Sequence, residues 1–269
     1  MNKLSYYNKH LLIFFLTSVS LNWSQIVQPY PPLNIVNIPT AGTLPRGTYT
    51  LETLLINNGG FVPKLAVGFT DNFCFGVSFG IQNIIGNLEP SINKPTPEVQ
   101  MKYRMFDETQ SMPALVYGLD TQGKGRFTYE ITNNDTIIDI NRYQQKAWGL
   151  YVVASKNWNL VGNLGLHIGM CKNYWENDDG DRDINLFLGI DKEINRSFSL
   201  LIDYDAALND NNYDITQITF GKDKGYLNAG IRWAINSNIM LELDLNDINL
   251  NTEAKFMNRE FKIIYSEEF

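Results

Sequence analysis

The feature that most limits what this chain can fold into is a period-two alternation of apolar and polar residues, plainest at its C-terminus. In Arg259-Glu-Phe-Lys-Ile-Ile-Tyr-Ser-Glu-Glu-Phe269, Phe261, Ile263, Tyr265 and Phe269 share one parity, while Glu260, Lys262 and Ser266 share the other. Successive side chains of a strand point to opposite faces, so the pattern predicts a β-strand with one apolar and one polar face. An edge strand of a soluble sheet alternates too, and the rest of the chain must decide between them.

The same alternation recurs from Tyr49 onward. Tyr49, Leu51, Thr53 and Leu55 form one face of a first strand, and Asn57-Asn-Gly-Gly60 reads as a turn. Leu65, Val67 and Phe69 follow opposite Lys64, Ala66 and Gly68; after Asp71-Asn72 come Phe73, Phe75, Val77, Phe79 and Ile81, interleaved with Cys74, Gly76, Ser78 and Gly80. In a sandwich that large aromatic face would meet a second sheet, so the alternative stays open at this strand. Further alternating runs surround Met101, Tyr117, Ile168, Leu188, Ile202, Ile231 and Leu243, and the parity of Trp148–Ser155 is left open.

About twelve strands result. Short links (Asp71-Asn72, Asn157-Trp-Asn159, Asn236-Ser-Asn238) alternate with long ones (Gln82 to Thr96, Thr121 to Lys146, Lys172 to Arg182, Ala206 to Lys224). An even count with short turns at one end and long loops at the other predicts an all-β, antiparallel up-and-down transmembrane barrel with both termini periplasmic. No apolar stretch is long enough to cross a bilayer as a helix, and 13% aromatic content at a mean hydropathy of −0.22 fits a wall whose alternate residues face lipid.

The N-terminus reads as an export signal over residues 1–24: Lys3 and Lys9, the apolar run Leu11–Val19, then cleavage after Ser20 or Ser24. No Cys follows either site, which argues against a lipoprotein anchor. Residues 25–47, with Pro29, Pro31, Pro32, Pro39 and Pro45, read as an extended lead-in on the periplasmic side, open to tucking into the barrel mouth, and residues 48–269 as the barrel. Losing Lys3 and Lys9 takes the formal charge from −7 to −9. A chain so acidic, with no basic stripe, is unsuited to nucleic acid. Cys74 and Cys171 are too few for a disulfide-stapled domain, and their expected positions at opposite ends of distant strands keep them apart.

The terminal strand ending on Phe269 resembles the C-terminal signature that the assembly machinery of bacterial outer-membrane barrels reads, which makes Phe261, Ile263, Tyr265 and Phe269 the assembly-signal residues. Asn37-Ile-Pro-Thr-Ala-Gly42, Arg46-Gly-Thr-Tyr49, Tyr151–Lys156, Gly225–Trp233 and Leu241–Asn246 together resemble an uncharacterised family of outer-membrane barrels related to the YjbH-type barrels associated with exopolysaccharide production. That resemblance covers roughly residues 37–269. It implies an outer-membrane location in a Gram-negative-type bacterium and a role accessory to polysaccharide export or envelope structure. The implied partners are outer-membrane lipid, the barrel-assembly machinery and polysaccharide.

Little in the chain points to chemistry. The only histidines are His10 and His167, and His10 leaves with the signal. A Ser–His hydrolase site needs a serine beside His167; its neighbours Leu166, Ile168 and Gly169 supply none, which leaves that role open only to a serine distant in sequence. His167 is expected to be a lumen residue bonded to a carboxylate. In the acidic loop Glu176–Asp183, setting Gly180 at the EF-hand glycine puts Trp175 and Leu186 at ligand positions, so that motif fails, and a solvated outer loop is expected. The cluster Asp203, Asp205 and Asp210 is read the same way. The expectation is therefore a non-enzyme with no cofactor or metal.

The inward parity carries charges of both signs: Glu52, Lys64, Glu98, Lys102, Arg104, Arg232, Glu242, Asp244, Glu260 and Lys262. Lone charges in a narrow lumen are costly, so cross-strand pairing is expected, with Arg232 opposite Glu242 or Asp244 and then Lys262. Glu98, Lys102, Arg104, His167, Arg232, Glu242, Asp244 and Lys262 make up the candidate polar ladder. It serves either as a salt-bridged filling of a closed barrel or as a polar path for a solute. A small porin, and an enzyme acting on lipid or peptide, remain the alternatives to the export role.

Overall fold

The computed structural model describes residues 31–56, 59–133, 136–211, 221–252 and 255–269, so the expected signal and its cleavage sites lie outside the described residues. In chain order the strands are β1 (Asn34–Ile35), β2 (Ile38–Pro39), β3 (Thr48–Ile56), β4 (Gly60–Thr70), β5 (Phe73–Ser78), β6 (Ile81–Gln82), β7 (Ser91–Ile92), β8 (Glu98–Phe106) and β9 (Ala114–Asp120). They continue as β10 (Lys124–Asn133), β11 (Thr136–Gln145), β12 (Gly149–Asn159), β13 (Asn163–Lys172), β14 (Asn185–Glu193), β15 (Phe198–Asp205), β16 (Tyr226–Ala234), β17 (Ile239–Asn246) and β18 (Asn258–Glu268).

Twelve of these strands form the wall. The ring runs β3-β18-β17-β16-β15-β14-β13-β12-β9-β8-β5-β4 and returns to β3 through the β3–β4 pairing, every pairing being antiparallel. Closure removes the free edges that an open sheet would leave unpaired. The terminal strand makes the closure: β18 pairs β3 from Phe261↔Leu55 to Glu268↔Thr48, and the Phe269 amide donates to the Gly47 carbonyl at 2.8 Å. The chain is an all-β, twelve-stranded antiparallel barrel, as the alternation predicts.

The parities agree with the sequence wherever the sequence commits to one. In β5, Cys74, Gly76 and Ser78 are buried inside, while Phe73, Phe75 and Val77 face outward. The open case of β12 is settled by Tyr151, Val153 and Ser155, which are buried in the lumen. Asn157-Trp-Asn159 is not a link but the end of β12, paired with Asn163–Gly165; the turn is Leu160–Gly162. Cys74 and Cys171 are free thiols in separate buried clusters.

The lead-in does more than reach the mouth. Residues 31–47 enter the lumen from the end that carries the short turns, fold into the small β1–β2 hairpin and return to β3. Ile35, Ile38 and Leu44 are fully buried there. The Thr121–Lys146 connection is likewise not an open loop. It forms the β10–β11 hairpin, whose Phe127, Ile140, Arg142 and Tyr143 are buried at the opposite, loop-bearing end.

Candidate functional site: the filled lumen

One stretch of the inner wall, from β9 through β15, is largely apolar. Val116, Tyr151, Val153, Cys171, Phe187 and Leu201 pack against Ile35, Val36, Ile38 and Ala41 of the inserted segment. The wall needs these side chains because the hairpin presents an apolar face to be covered. Close approach has its own requirement: a Cβ on Gly189 would lie 2.5 Å from Ile35 Cδ1 and 2.6 Å from Ile38 Cδ1, so glycine makes room for the hairpin.

Charged and polar wall residues, some of them on the same strands, hold the segment by its backbone. Lys102 Nζ donates to the carbonyls of Leu33, Thr40 (3.1 Å) and Gly42 (3.4 Å). Lys262 Nζ reaches Val36 O at 3.0 Å and Arg232 Nη2 reaches Asn34 O at 2.8 Å. In the reverse sense Asp203 Oδ2 accepts the amides of Asn37 (2.8 Å) and Ile38 (3.3 Å), and Ser155 Oγ accepts the Ala41 amide at 2.8 Å. Buried peptide groups must find partners, and here the wall supplies them.

The expected ladder forms in part. Register sets Arg232 opposite Glu242 and Glu242 opposite Lys262, with ion pairs of 2.6 and 2.5 Å at full burial. Asp244 stands at its edge, 3.7 Å from Lys262 and with no hydrogen bond on either carboxylate oxygen. Lys102 serves the inserted segment instead of Glu98, which pairs with Lys94 at 2.6 Å and accepts the Tyr143 hydroxyl at 2.9 Å. Arg104 leaves the ladder for the turn end, where it meets Asp107 and the Asp71 carbonyl. His167 does bond a carboxylate, Asp191, at 2.7 Å, and it also meets Ser155 at 2.7 Å. The sequence reading missed Ser155 because it lies on the strand whose parity was open.

Much of both acidic clusters is buried, where solvated loops are expected: Glu176, Asp179 and Asp181 lie inside with Asp203, Asp205 and Asp210, while Asp178 and Asp183 stay exposed. Arg142 and Lys146 account for one of them. Arg142 Nη1 bonds Asp179 at 2.6 Å and Asp210 at 2.7 Å, and Lys146 Nζ reaches Asp179 at 2.7 Å. Burial opposes the Arg142 charge, but Asp210 and Asp179 outweigh it and raise its pKa above the ordinary value. These contacts clamp the β10–β11 hairpin to the neighbouring loops. Asp203 and Asp205 are lumen residues, each held by an asparagine amide, Asn228 and Asn185 respectively, at 2.6 Å. Within the clamp, burial pushes the Glu176 carboxyl up to about 7 despite the Ala147 amide, Arg142 and Lys146.

Several cavities flank the inserted segment, and two of them bear on function. About 60 Å³ remains between it and the loop-end hairpin, beside Lys64, Lys124 and Lys262. A larger one, about 470 Å³, opens at the turn end beside Arg104, Ser155 and His167.

No protein-family model and no curated protein matches the chain. Among solved structures it is similar to the KdgM porin, at 8% identity and TM-score 0.47, over 82% of this chain and 99% of that one. It is also similar to the NanC porin (9% identity, TM-score 0.43, 82% and 99%) and to the Acinetobacter baumannii outer membrane protein Omp33 (7%, 0.42, 82% and 97%). Likenesses so distant carry no argument about function. The barrel stands on the closed ring of strands, and the YjbH-type resemblance on its motifs alone.

Proposed function

We propose that this chain is an outer-membrane β-barrel of a Gram-negative-type bacterium, and that its principal role is a channel for polar solutes, closed at rest by residues 31–47. The observation that carries the reading is the lumen wall, whose polar residues Lys102, Arg232, Lys262 and Asp203 bond a separate backbone segment. Once the segment leaves, that wall becomes a polar path. The outward apolar face suits hydrocarbon, and strands can cross it only as a closed barrel. The resting state is closed because burying Ile35, Ile38 and Leu44 contributes roughly 1.5–3 kcal/mol each.

Planar-bilayer conductance tests the proposal. Refolded wild type is expected to conduct little, and a variant lacking residues 31–46 to give ohmic openings. A folded deletion variant that stays silent would overturn the channel, and a fully conducting wild type would overturn the closure. The narrower role in exopolysaccharide export is supported by the family resemblance alone, and the surface polysaccharide of a deletion strain tests it.

A further inference from the structure

The turn-end cavity holds a constellation that the channel reading does not use. Ser155 Oγ lies 2.7 Å from His167 Nδ1, and His167 Nε2 lies 2.7 Å from Asp191 Oδ1. All three residues are buried within the lumen wall, with His167 and Ser155 the more enclosed and the Asp191 side chain one-tenth exposed. Strand register builds the set: Ser155 faces His167 across β12–β13, and Asp191 stands two residues beyond Gly189, the partner of His167 on β14. A Cβ on Gly165 would come within 2.1 Å of Asp191 Oδ1, so glycine there leaves the carboxylate its place. Three adjacent strands of a closed wall hold the groups more rigidly than loops would.

The hydrogen-bond partners suit the Nε2–H tautomer of a neutral imidazole. The Asp191 carboxylate accepts from Nε2–H, which leaves Nδ1 free to accept from the Ser155 hydroxyl. A serine bonded to a neutral imidazole, itself oriented by a carboxylate, is the arrangement that makes a hydroxyl nucleophilic. Ser155 and His167 line the 470 Å³ cavity, which has room for a small substrate. The Ala41 amide donates to Oγ at 2.8 Å and so stabilises the negative charge that grows on it as its proton leaves.

We propose that Ser155 and His167, positioned by Asp191, cleave small acyl esters in this cavity. Oγ bonds to the ester carbonyl carbon while its proton passes to Nδ1. The tetrahedral oxyanion collapses, the bond to the leaving oxygen breaks, and that oxygen takes the Nδ1 proton and departs as an alcohol. Water then attacks the acyl-serine with His167 as base, the proton returns to Oγ, and a carboxylic acid is released. The proposal is independent of the channel reading, since it needs the segment in place and no conductance.

A fluorophosphonate probe on the full-length mature protein, folded in detergent, tests it by mass mapping. One adduct is expected, on Ser155, absent from heat-denatured protein and from Ser155→Ala. His167→Asn is expected to slow adduct formation at least about 100-fold without changing the probe concentration at half-saturation. Asp191→Asn should slow it as well, and Asp191→Glu, which keeps the carboxylate, should recover part of the rate. Heat-modifiable migration confirms that each variant is folded. No adduct on folded wild type overturns the proposal, and so does labelling whose rate is indifferent to His167→Asn, because a serine that merely pins the segment through Ala41 would give either result.

Discussion

Arg232 and Lys262 reach Glu242 from opposite sides, and each also donates to a backbone carbonyl of the inserted segment. Replacing Glu242 by glutamine leaves two buried cations sharing a neutral partner. Breaking a buried pair by removing one member typically costs about 3–5 kcal/mol, far more than an exposed pair. Glu242→Gln is therefore expected to lower barrel stability by about that much in urea unfolding from micelles. Asp244→Asn should cost under about 1 kcal/mol or stabilise, because Asp244 accepts no hydrogen bond and its only ion pair is long. Equal losses for the two variants would refute the ladder as described. The Arg232–Glu242–Lys262 row was legible in the sequence because the short β16–β17 turn sets Arg232 beside Glu242, and parity puts Lys262 on the same inward face of β18. The role of Lys102 was not, since its partners are carbonyls of a segment some sixty to seventy residues away in sequence, a contact that no alternation encodes.

At the scale of elements, the two insertions were the least legible parts of the chain. A proline-rich stretch reads as an extended lead-in on the periplasmic side, because proline cannot serve a central strand. It lies inside because wall charges, not neighbouring strands, satisfy its peptide groups. The β10–β11 hairpin was hidden in a long loop for a similar reason: its buried Arg142 looks like a surface residue until Asp179 and Asp210 close on it. Glu176 in this clamp gives a pH test. Its folded pKa of about 7 lies above the ordinary carboxyl value, so the folded state keeps a proton that the unfolded state releases. Its stabilising effect is full below about pH 4.5 and is lost as pH rises through 7, on the order of 3 kcal/mol in all. Amide exchange in residues 173–184 should accordingly be faster at pH 8 than at pH 5 after correction for intrinsic rates. Glu176→Gln should flatten the difference, and a wild-type loop equally protected at both values would contradict the assignment. The closing strand gives a second test. The Tyr49 and Phe269 rings meet across the seam at 6.2 Å, tilted by 39°. Deleting Phe269 should reduce the fraction of heat-modifiable barrel in the outer-membrane fraction, and unchanged assembly would show that the terminal aromatic is dispensable.

For the whole molecule the decisive question is what covers the outside. Alternation fixed the outward set residue by residue, and Phe75, Val77 and Phe79 occupy it on β5 and just beyond, with Gly76 and Ser78 turned inward. Leu51, Leu65, Ile168, Leu188, Ile202, Ile231 and Leu243 continue the same exposed surface around the ring. The sandwich left open by the sequence needs a second sheet over these residues, and the closed ring encloses the opposite face instead. An uncovered apolar belt of this kind is a liability in water and a requirement in hydrocarbon. Val77→Arg should then destabilise the barrel by about 2–4 kcal/mol if the position lies near the bilayer midplane. A buried sandwich position would suffer as well, so the discriminating measurement is accessibility. A spin label at position 77 in folded protein should relax strongly with lipid-soluble oxygen and weakly with a water-soluble nickel chelate, while a label at position 78 should show low access to oxygen. Low oxygen access at position 77 would mean that protein covers this face, and both the membrane location and the channel reading would fall with it.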